Sequence, residues 1–474
     1  MRITITIITL LMGLAGAFAA EEKPLKPNII LVLTDDNAWG ELGQSGNKLI
    51  KTPNIDRLAE QSLRFTNYHV APSCSPSRAE LMSGKHEFFV GVTHTILGRE
   101  NLRDDIEILP QIMKRGGYQT GMFGKWHLAS EKTGLTGKSL APYDRGFDTA
   151  IYTYNQLGRF DPKLNHNGEI KQHKGYCADV LFEQGMKWME SCDKDKPYFM
   201  YLATSIPHVP LAAPQRFIDL YAGSGLTKNQ QVYYAMVSAA DENVGKLMAW
   251  LGRQKSKRET ILIFMTDNGH AIAGAPGAGH DHDGFLKEGG LFNAGFRGGK
   301  GQQWRGSTCV PFILRWPGVT KPNSTDNTLT SALDILPTFA EIAGVKLSDP
   351  ELQGYSLLPN VLGKSTKVPS DRMLFTHVGR WESSDLMEQS QFKGASVLTS
   401  RYRLTWEKGV RKLYAYADDR GELTDVAAQH PEVVEELTKA QDKWWQEAKK
   451  GMVNDLEQIR TGKIRRQGKD NGAD

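Results

Sequence analysis

Short, continuous apolar runs closed by polar residues punctuate the first two-thirds of the chain. Residues 28–34 (NIILVLT), 197–204 (PYFMYLAT) and 260–266 (TILIFMT) share this form. Runs of this length without alternation suit strands buried on both faces, as in a parallel sheet. Residues 63–70, 118–123 and 310–316 read as further strands. Between them the apolar spacing changes to that of helices. Thr52-Pro53-Asn54 opens one, and 75–82, 106–115 (closed by Gly116-Gly117), 176–190, 228–252 and 331–343 supply others. In 228–252 the apolar stripe is Val232, Ala235, Met236, Ala239, Val244 and Leu247, the 3.6-residue period of one helical face. Residues 344–369 are rich in Pro, Gly and Lys and mark a boundary. After it come short strands (373–377, 395–399, 402–406) and a helix at 431–449. The pattern predicts an α/β fold with a large mixed, mostly parallel sheet flanked by helices. A small C-terminal antiparallel sheet with one helix follows.

This organisation divides the chain into 1–20, 21–365, 366–450 and a loose tail at 451–474. Residues 1–20 read as a secretory signal: Arg2, an apolar run from Ile3 to Leu14, and the small-x-small site Ala17-Phe18-Ala19. The run is too short to span a bilayer comfortably and no basic stop-transfer cluster follows it. The expectation is an exported protein, periplasmic or secreted, with no stable membrane insertion. A length of 474 residues suits two domains. The formal charge of +4, or +3 once Arg2 is removed (4 − 1), is near balance. That excludes a nucleic-acid binder carrying a basic stripe. Four cysteines, Cys74, Cys177, Cys192 and Cys309, are too few for a disulfide framework.

Candidate chemistry gathers where the strands end. The run at 28–34 leads straight into Asp35-Asp36, and 260–266 into Asp267-Asn268-Gly269. Open α/β sheets place ligands at the carboxyl ends of their strands. These side chains offer only oxygen, which selects calcium or magnesium over zinc. The run at 118–123 ends in Gly124-Lys125-Trp126-His127, and in an extended segment Lys125 and His127 share a face. His208 sits between Pro207 and Pro210. Cys74 falls at the start of a predicted helix, where free N–H groups favour an anion and also lower a thiol pKa. An ordinary reactive cysteine is therefore the local alternative. The aromatic segment 143–175 reads as loop, either a substrate wall or satellite packing. Asp241-Glu242-Asn243 reads as the polar face of its helix. The glycine-rich stretch 269–306 is too long for a mere connection, so a functional rim is expected. Its His280-Asp281-His282-Asp283 cluster lacks the rigid spacing of a transition-metal site.

Cys-Ser-Pro-Ser-Arg at 74–78 resembles the signature of the type I sulfatases, of the alkaline phosphatase-like superfamily. Asp35-Asp36, Gly-Lys-Trp-His at 124–127, Pro-His-x-Pro at 207–210, Thr-Asp-Asn-Gly at 266–269 and Arg-Gly-Gly-Lys at 297–300 match family motifs in the family order. The resemblance runs from about 28 to 316 and extends to the small C-terminal sheet. It implies that Cys74 is oxidised to formylglycine by a formylglycine-generating or anaerobic sulfatase-maturating enzyme. One Ca2+ would be held by Asp35, Asp36, Asp267, Asn268 and the modified Cys74. One hydroxyl of the hydrated aldehyde would attack sulfur and the second would expel sulfate. Arg78 and Lys125 would stabilise the hydrate and His127 would assist elimination. His208 and Lys300 would hold sulfate, one of them protonating the leaving oxygen. Lys300 fits the motif better than Lys287. The family's usual Glu-Gly-Gly and Arg-Val-Pro segments are replaced by Arg305-Gly306-Ser307 and Cys309-Val310-Pro311. The implied substrate is a sulfated saccharide or other sulfate ester. Phosphodiester or phosphonate hydrolysis on the same scaffold, and a glycan binder with unmodified Cys74, are the rival readings.

Overall fold

In the computed structural model, which describes residues 26–130, 138–155, 157–271, 292–381 and 386–455, the first apolar run forms strand β1 (Asn28–Asp35). Its side chains alternate between two cores: Ile29, Leu31 and Leu33 face one, Ile30 and Val32 the other. A strand covered on both faces needs no polar positions, so its sequence shows no alternation. The strands β2 (Leu63–Phe65), β3 (Tyr68–His69), β4 (Gln119–Lys125), β5 (Thr149–Thr153), β6 (Lys163–His166), β7 (Glu169–Gln172), β8 (Tyr198–Pro207), β9 (Thr260–Thr266), β10 (Phe312–Arg315) and β11 (Ser324–Asp326) follow. All but β3 join β1 in a ten-stranded sheet of order β11-β2-β10-β9-β1-β8-β4-β5-β6-β7.

The centre of this sheet decides where the chemistry goes. Strands β9, β1, β8, β4 and β5 run parallel, in registers such as Thr34 opposite Thr266 and Leu33 opposite Ala203. Their carboxyl ends therefore share one edge. The helices α1 (Pro53–Glu60), α2 (Cys74–Ser83), α3 (Leu109–Arg115), α4 (Cys177–Ser191), α5 (Gln215–Ile218) and α6 (Lys228–Arg253) cover the two faces. Helices α2 and α3 and the helix Ile335–Ala343 pack on one face, and α1, α4 and α6 on the other. Strand β12 (Thr330–Ser331) pairs with β3. Strands β13 (Leu374–His377), β14 (Ala395–Leu398), β15 (Arg403–Glu407) and β16 (Val410–Tyr414) form a separate antiparallel sheet. The helix Pro431–Ala448 lies on it through Val434 and Leu437. The mostly parallel sheet with its small antiparallel companion is the architecture expected from the apolar pattern.

Several local expectations change. The helix expected over 106–115 starts at Leu109, because Pro110 fits only a first turn. The strand expected over 63–70 splits between two sheets. The segment 143–175 contributes β5, β6 and β7 rather than loop alone. The β6–β7 hairpin is an edge whose β7 residues are all exposed, so no apolar pattern announces it. Asp241 is not on a polar face. It is buried and accepts hydrogen bonds from the N–H groups of Asn54 (2.9 Å) and Ile55 (2.7 Å), capping α1. Residues 451–455 are not a loose tail. Asn454 Nδ2 donates to the carbonyls of Gly91 and Asn101, and Asp455 lies 2.8 Å from Arg99 Nε. All four cysteines are free and buried. The signal segment 1–20, the cluster His280-Asp281-His282-Asp283, Lys287 and the chain beyond 455 lie outside the described residues.

Helix α2 is buried at every position, including the ionisable Arg78 and Glu80, and ends at Gly84 in the left-handed region (φ 65°). Glu80 and the fully buried Glu87 lie in one cluster with His86, whose Nδ1 is 3.1 Å from Glu87 Oε2. Burial pushes Glu80 up to about 8, and burial with the neighbouring Glu80 holds Glu87 well above the usual carboxylate range. The folded protein binds these protons more tightly than the unfolded chain does. The pair's contribution to stability is thus complete below the ordinary glutamate range and is lost as pH rises through about 8. The thermal midpoint should fall between about pH 5.5 and about pH 8.5, and Glu80→Gln should flatten that fall. An unchanged pH slope in that variant contradicts the raised Glu80 carboxyl.

Candidate active site

Four strand ends and one helix start converge at the carboxyl edge of the sheet. Asp35 closes β1. Asp36 follows in a left-handed conformation (φ 66°) that turns the chain off the sheet. Its N–H donates to Asp267 Oδ1, 3.2 Å away at the end of β9. Asn268 Nδ2 donates to Asp36 Oδ1 (2.7 Å), while the buried Asn268 Oδ1 has no hydrogen-bond partner. Cys74 opens α2 after Ser73, whose backbone is extended. Its Sγ lies 3.3 Å from Asp35 Oδ1 and 3.9 Å from Asp36 Oδ1. Ligand-type atoms of Asp35, Asp36, Cys74 and His208 lie within 4.8 Å of one another.

Cations balance these carboxylates. Arg78, one turn into α2, donates through Nε (3.1 Å) and Nη2 (2.8 Å) to Asp267 Oδ2, and through Nη1 to the Lys125 carbonyl (2.8 Å). Lys125, the last residue of β4, places Nζ 2.7 Å from Asp35 Oδ2. Lys300 Nζ lies 2.9 Å from Asp36 Oδ1. Its segment is anchored by Lys300 N–H to the His270 carbonyl (2.9 Å) and Gly301 N–H to the Pro72 carbonyl (2.7 Å), beside the Cys74 turn. His208 Nε2 faces Asp36 Oδ2 at 3.6 Å, and its Nδ1 donates to the Val209 carbonyl (2.6 Å). His127 donates Nε2–H to the Thr95 carbonyl (2.9 Å), leaving its buried Nδ1 without a hydrogen-bond partner. It does not share a strand face with Lys125, since β4 ends at Lys125 and His127 is left-handed (φ 56°). Arg297 stacks on Trp304, 3.6 Å from the ring centre, and pairs with Glu407. It braces the segment that carries Lys300.

The electrostatics follow from this mixture. Burial opposes the charge on Asp35, but Lys125, His208, Arg78 and Lys300 outweigh it and hold the carboxyl well below its ordinary value. Burial and the Asp35 carboxylate push Asp267 up to about 7, against Arg78. Burial and Lys300 bring His208 down to about 4, so its imidazole is neutral at pH 7 with the proton on Nδ1. Burial, then the Asp35 carboxylate, raises the Cys74 thiol far above its ordinary value despite Lys125 and Lys300. The thiolate that a helix N-terminus ordinarily favours is suppressed here. The donor set fits a hard divalent cation: three carboxylates, one crowded by its neighbours, and an amide oxygen with no other partner.

Thr266, the first residue of the 266–269 motif, also touches this centre, as do Glu41 and Tyr233, which escaped the sequence reading. Thr266 Oγ1 accepts from the Asn37 N–H (3.2 Å), and Tyr233 OH reaches the Asp36 carbonyl (2.5 Å) and Glu41 (2.6 Å). The only trace of Glu41 was an acid soon after Asp35-Asp36. Tyr233 was hidden inside an apolar helical stripe.

A family model described as Sulfatase matches residues 27–345, and one described as N-sulphoglucosamine sulphohydrolase, C-terminal, matches 300–460. An uncharacterised sulfatase of Schizosaccharomyces pombe is 26% identical over 92% of this chain and 96% of its own length. The N-acetylgalactosamine-6-sulfatase of Rattus norvegicus is 30% identical over 74% of this chain and 68% of its own length. Among solved structures, that of Ps i-CgsB in complex with k-i-k-neocarrahexaose superposes with a TM-score of 0.78 at 25% identity. It covers 90% of this chain and 94% of that one.

Arg78 is the hinge of the charge balance. Arg78→Met strands Asp267 without its bidentate partner and should cost about 3–5 kcal/mol in denaturant unfolding. A loss below about 1 kcal/mol shows that the pair is not holding the site together.

Proposed function

The chain belongs to the sulfatase family, and from that premise we propose that it hydrolyses sulfate esters of carbohydrates through a formylglycine derived from Cys74 and one Ca2+ held by Asp35, Asp36, Asp267 and Asn268. The observation that carries this reading is the position of Cys74. Its Sγ points at two carboxylates, 3.3 Å and 3.9 Å away, in a site that keeps a thiol protonated. A working thiol has no use for such surroundings, whereas an oxygen nucleophile beside a hard cation does.

Calcium, when bound, would supply the positive charge that draws sulfate oxygens and the nucleophile together. A formylglycine at position 74 would offer, as its hydrate, one hydroxyl for attack on sulfur and a second to release sulfate, which a thiol lacks. The chain's own groups complete the set. Lys125 and Arg78 hold Asp35 and Asp267 in place and put positive charge beside position 74. His127 keeps an accepting Nδ1 near them, fixed by its bond to Thr95, and takes the proton in the elimination. Lys300 and His208 flank Asp36 and would lie beside the ester's sulfate; of the two, Lys300 carries a proton toward the site and would give it to the leaving alcohol, since the His208 proton is held on Nδ1 by the Val209 carbonyl. These donors are held in place before substrate arrives, which is what transition-state stabilisation requires.

The carbohydrate reading is supported by the rat relative, whose name specifies N-acetylgalactosamine 6-sulfate, and by the neocarrahexaose in the structural neighbour. Residues 1–20 act as an export signal in this proposal, so the enzyme works in the periplasm or outside the cell, and a maturating enzyme supplies the formylglycine. Among the described residues no helix is long and apolar enough to cross a membrane. The catalytic unit is 21–365 and the smaller unit 366–450.

The test uses matured protein from the native host or co-expressed with a maturating enzyme. Peptide mass spectrometry should find formylglycine at position 74, and defined sulfated saccharides should release inorganic sulfate. Cys74→Ala should abolish turnover with an unchanged thermal midpoint. An unmodified thiol in active protein, near-wild-type turnover by Cys74→Ala, or faster turnover of matched phosphodiesters overturns the proposal.

A further inference from the structure

The geometry points to Glu41 as a positioning residue that sets Asp36 and Lys300 together, an inference that rests on the calcium reading above. Glu41 is fully buried, and its side chain is surrounded by hydrogen-bond donors. Its Oε2 accepts from the Ala38 N–H (2.7 Å), Asn37 Nδ2 (3.2 Å) and the Tyr233 hydroxyl (2.6 Å). Its Oε1 lies 3.0 Å from His270 Nδ1. The carboxylate thus grips the two residues that follow Asp36 and a tyrosine from the long helix α6, and its other oxygen lies beside a histidine from the loop after β9.

Each grip has a consequence at the site. Asp36 must hold a left-handed backbone to turn Oδ1 toward Asn268 and Lys300, and a non-glycine residue keeps that conformation only when its surroundings fix it. Its N–H is fixed by Asp267 and its carbonyl by Tyr233, whose single hydroxyl proton serves both the Asp36 carbonyl and Glu41 in a three-centre bond. Removing the Glu41 carboxylate therefore leaves the Ala38 N–H and the Asn37 amide without this acceptor and takes away one of the two acceptors that orient the Tyr233 hydroxyl, which loosens the turn just after Asp36. On the other side, the His270 carbonyl receives the Lys300 N–H. Glu41 therefore lies between the turn that carries Asp36 and the loop whose His270 carbonyl holds the Lys300 backbone. Tyr233 links this point to α6, a 26-residue helix.

Outer partners of metal ligands typically contribute 10- to 100-fold in metal affinity. The test is calorimetric titration of Ca2+ alone into chelator-stripped, matured full-length protein, with thermal midpoints recorded for every variant. Glu41→Ala should bind Ca2+ about 10- to 100-fold more weakly than wild type and lose kcat even at saturating Ca2+. Glu41→Gln keeps an oxygen for Ala38, Asn37 and Tyr233 and should recover most of the affinity. Tyr233→Phe removes only the hydroxyl and should weaken binding in the same direction, which carries the test if Glu41→Ala does not fold. A purely structural role predicts lowered midpoints with wild-type Ca2+ affinity in the folded fraction. That result in Glu41→Ala or, where it does not fold, in Tyr233→Phe overturns the inference. Wild-type protein that binds no Ca2+ overturns the calcium reading itself, and is recognised by that arm alone.

Discussion

The structure depends on an exchange of buried charge at the carboxyl edge of one sheet. Asp35, Asp36 and Asp267 are fully or almost fully buried, and each is met by a cation: Lys125 at 2.7 Å, Lys300 at 2.9 Å and Arg78 at 2.8 Å. Ions removed from water are tolerated only when each is paired and its remaining hydrogen-bonding capacity is used. With all three carboxylates ionised, as a bound cation would favour, they and the three cations cancel. A divalent cation added to that set would leave the pocket with two positive charges in excess, which suits an arriving sulfate ester. The parallel core is the condition for this balance. Strands β9, β1, β8 and β4 must end together, because a strand reversed in direction would take its charge to the opposite edge and leave its partner buried alone.

Those strands and most of the residues at their ends were legible in the sequence for the same physical reason. A doubly covered parallel strand is a continuous apolar run, and Asp35, Lys125, His208 and Asp267 each stand where such a run stops. What escaped is what carries no pattern. The edge hairpin β6–β7 buries only Leu164 and is otherwise polar. Asp241 looked like surface because it belongs to a helix. Its burial comes from α1 docking its N-terminus there, a long-range fact that a window of one helix does not contain. Residues 452–455 looked like a frayed end because their partners, Gly91, Arg99 and Asn101, lie more than 350 residues earlier. Glu41 escaped in part on the same grounds: beside its local bonds to Asn37 and Ala38, its contacts with Tyr233 and His270 come from elements about 190 and 230 residues later.

Cys74 shows how tertiary context reverses a local rule. A cysteine at a helix N-terminus should be acidic, since unpaired N–H groups and the helix dipole favour the thiolate. Here burial and the Asp35 carboxylate dominate, and the thiol is pushed far the other way. The same two carboxylates that ruin a thiolate are suitable oxygen ligands for calcium, and they lie within reach of whatever atom position 74 presents. The environment is therefore hostile to the residue encoded and favourable to an oxygen in its place. If position 74 worked as sulfur, the chain would bury a nucleophile where burial and the Asp35 carboxylate oppose its ionisation. It would also spend three cations on carboxylates that serve nothing. Under the proposed conversion, the site is built around an oxygen at position 74 rather than the sulfur encoded there.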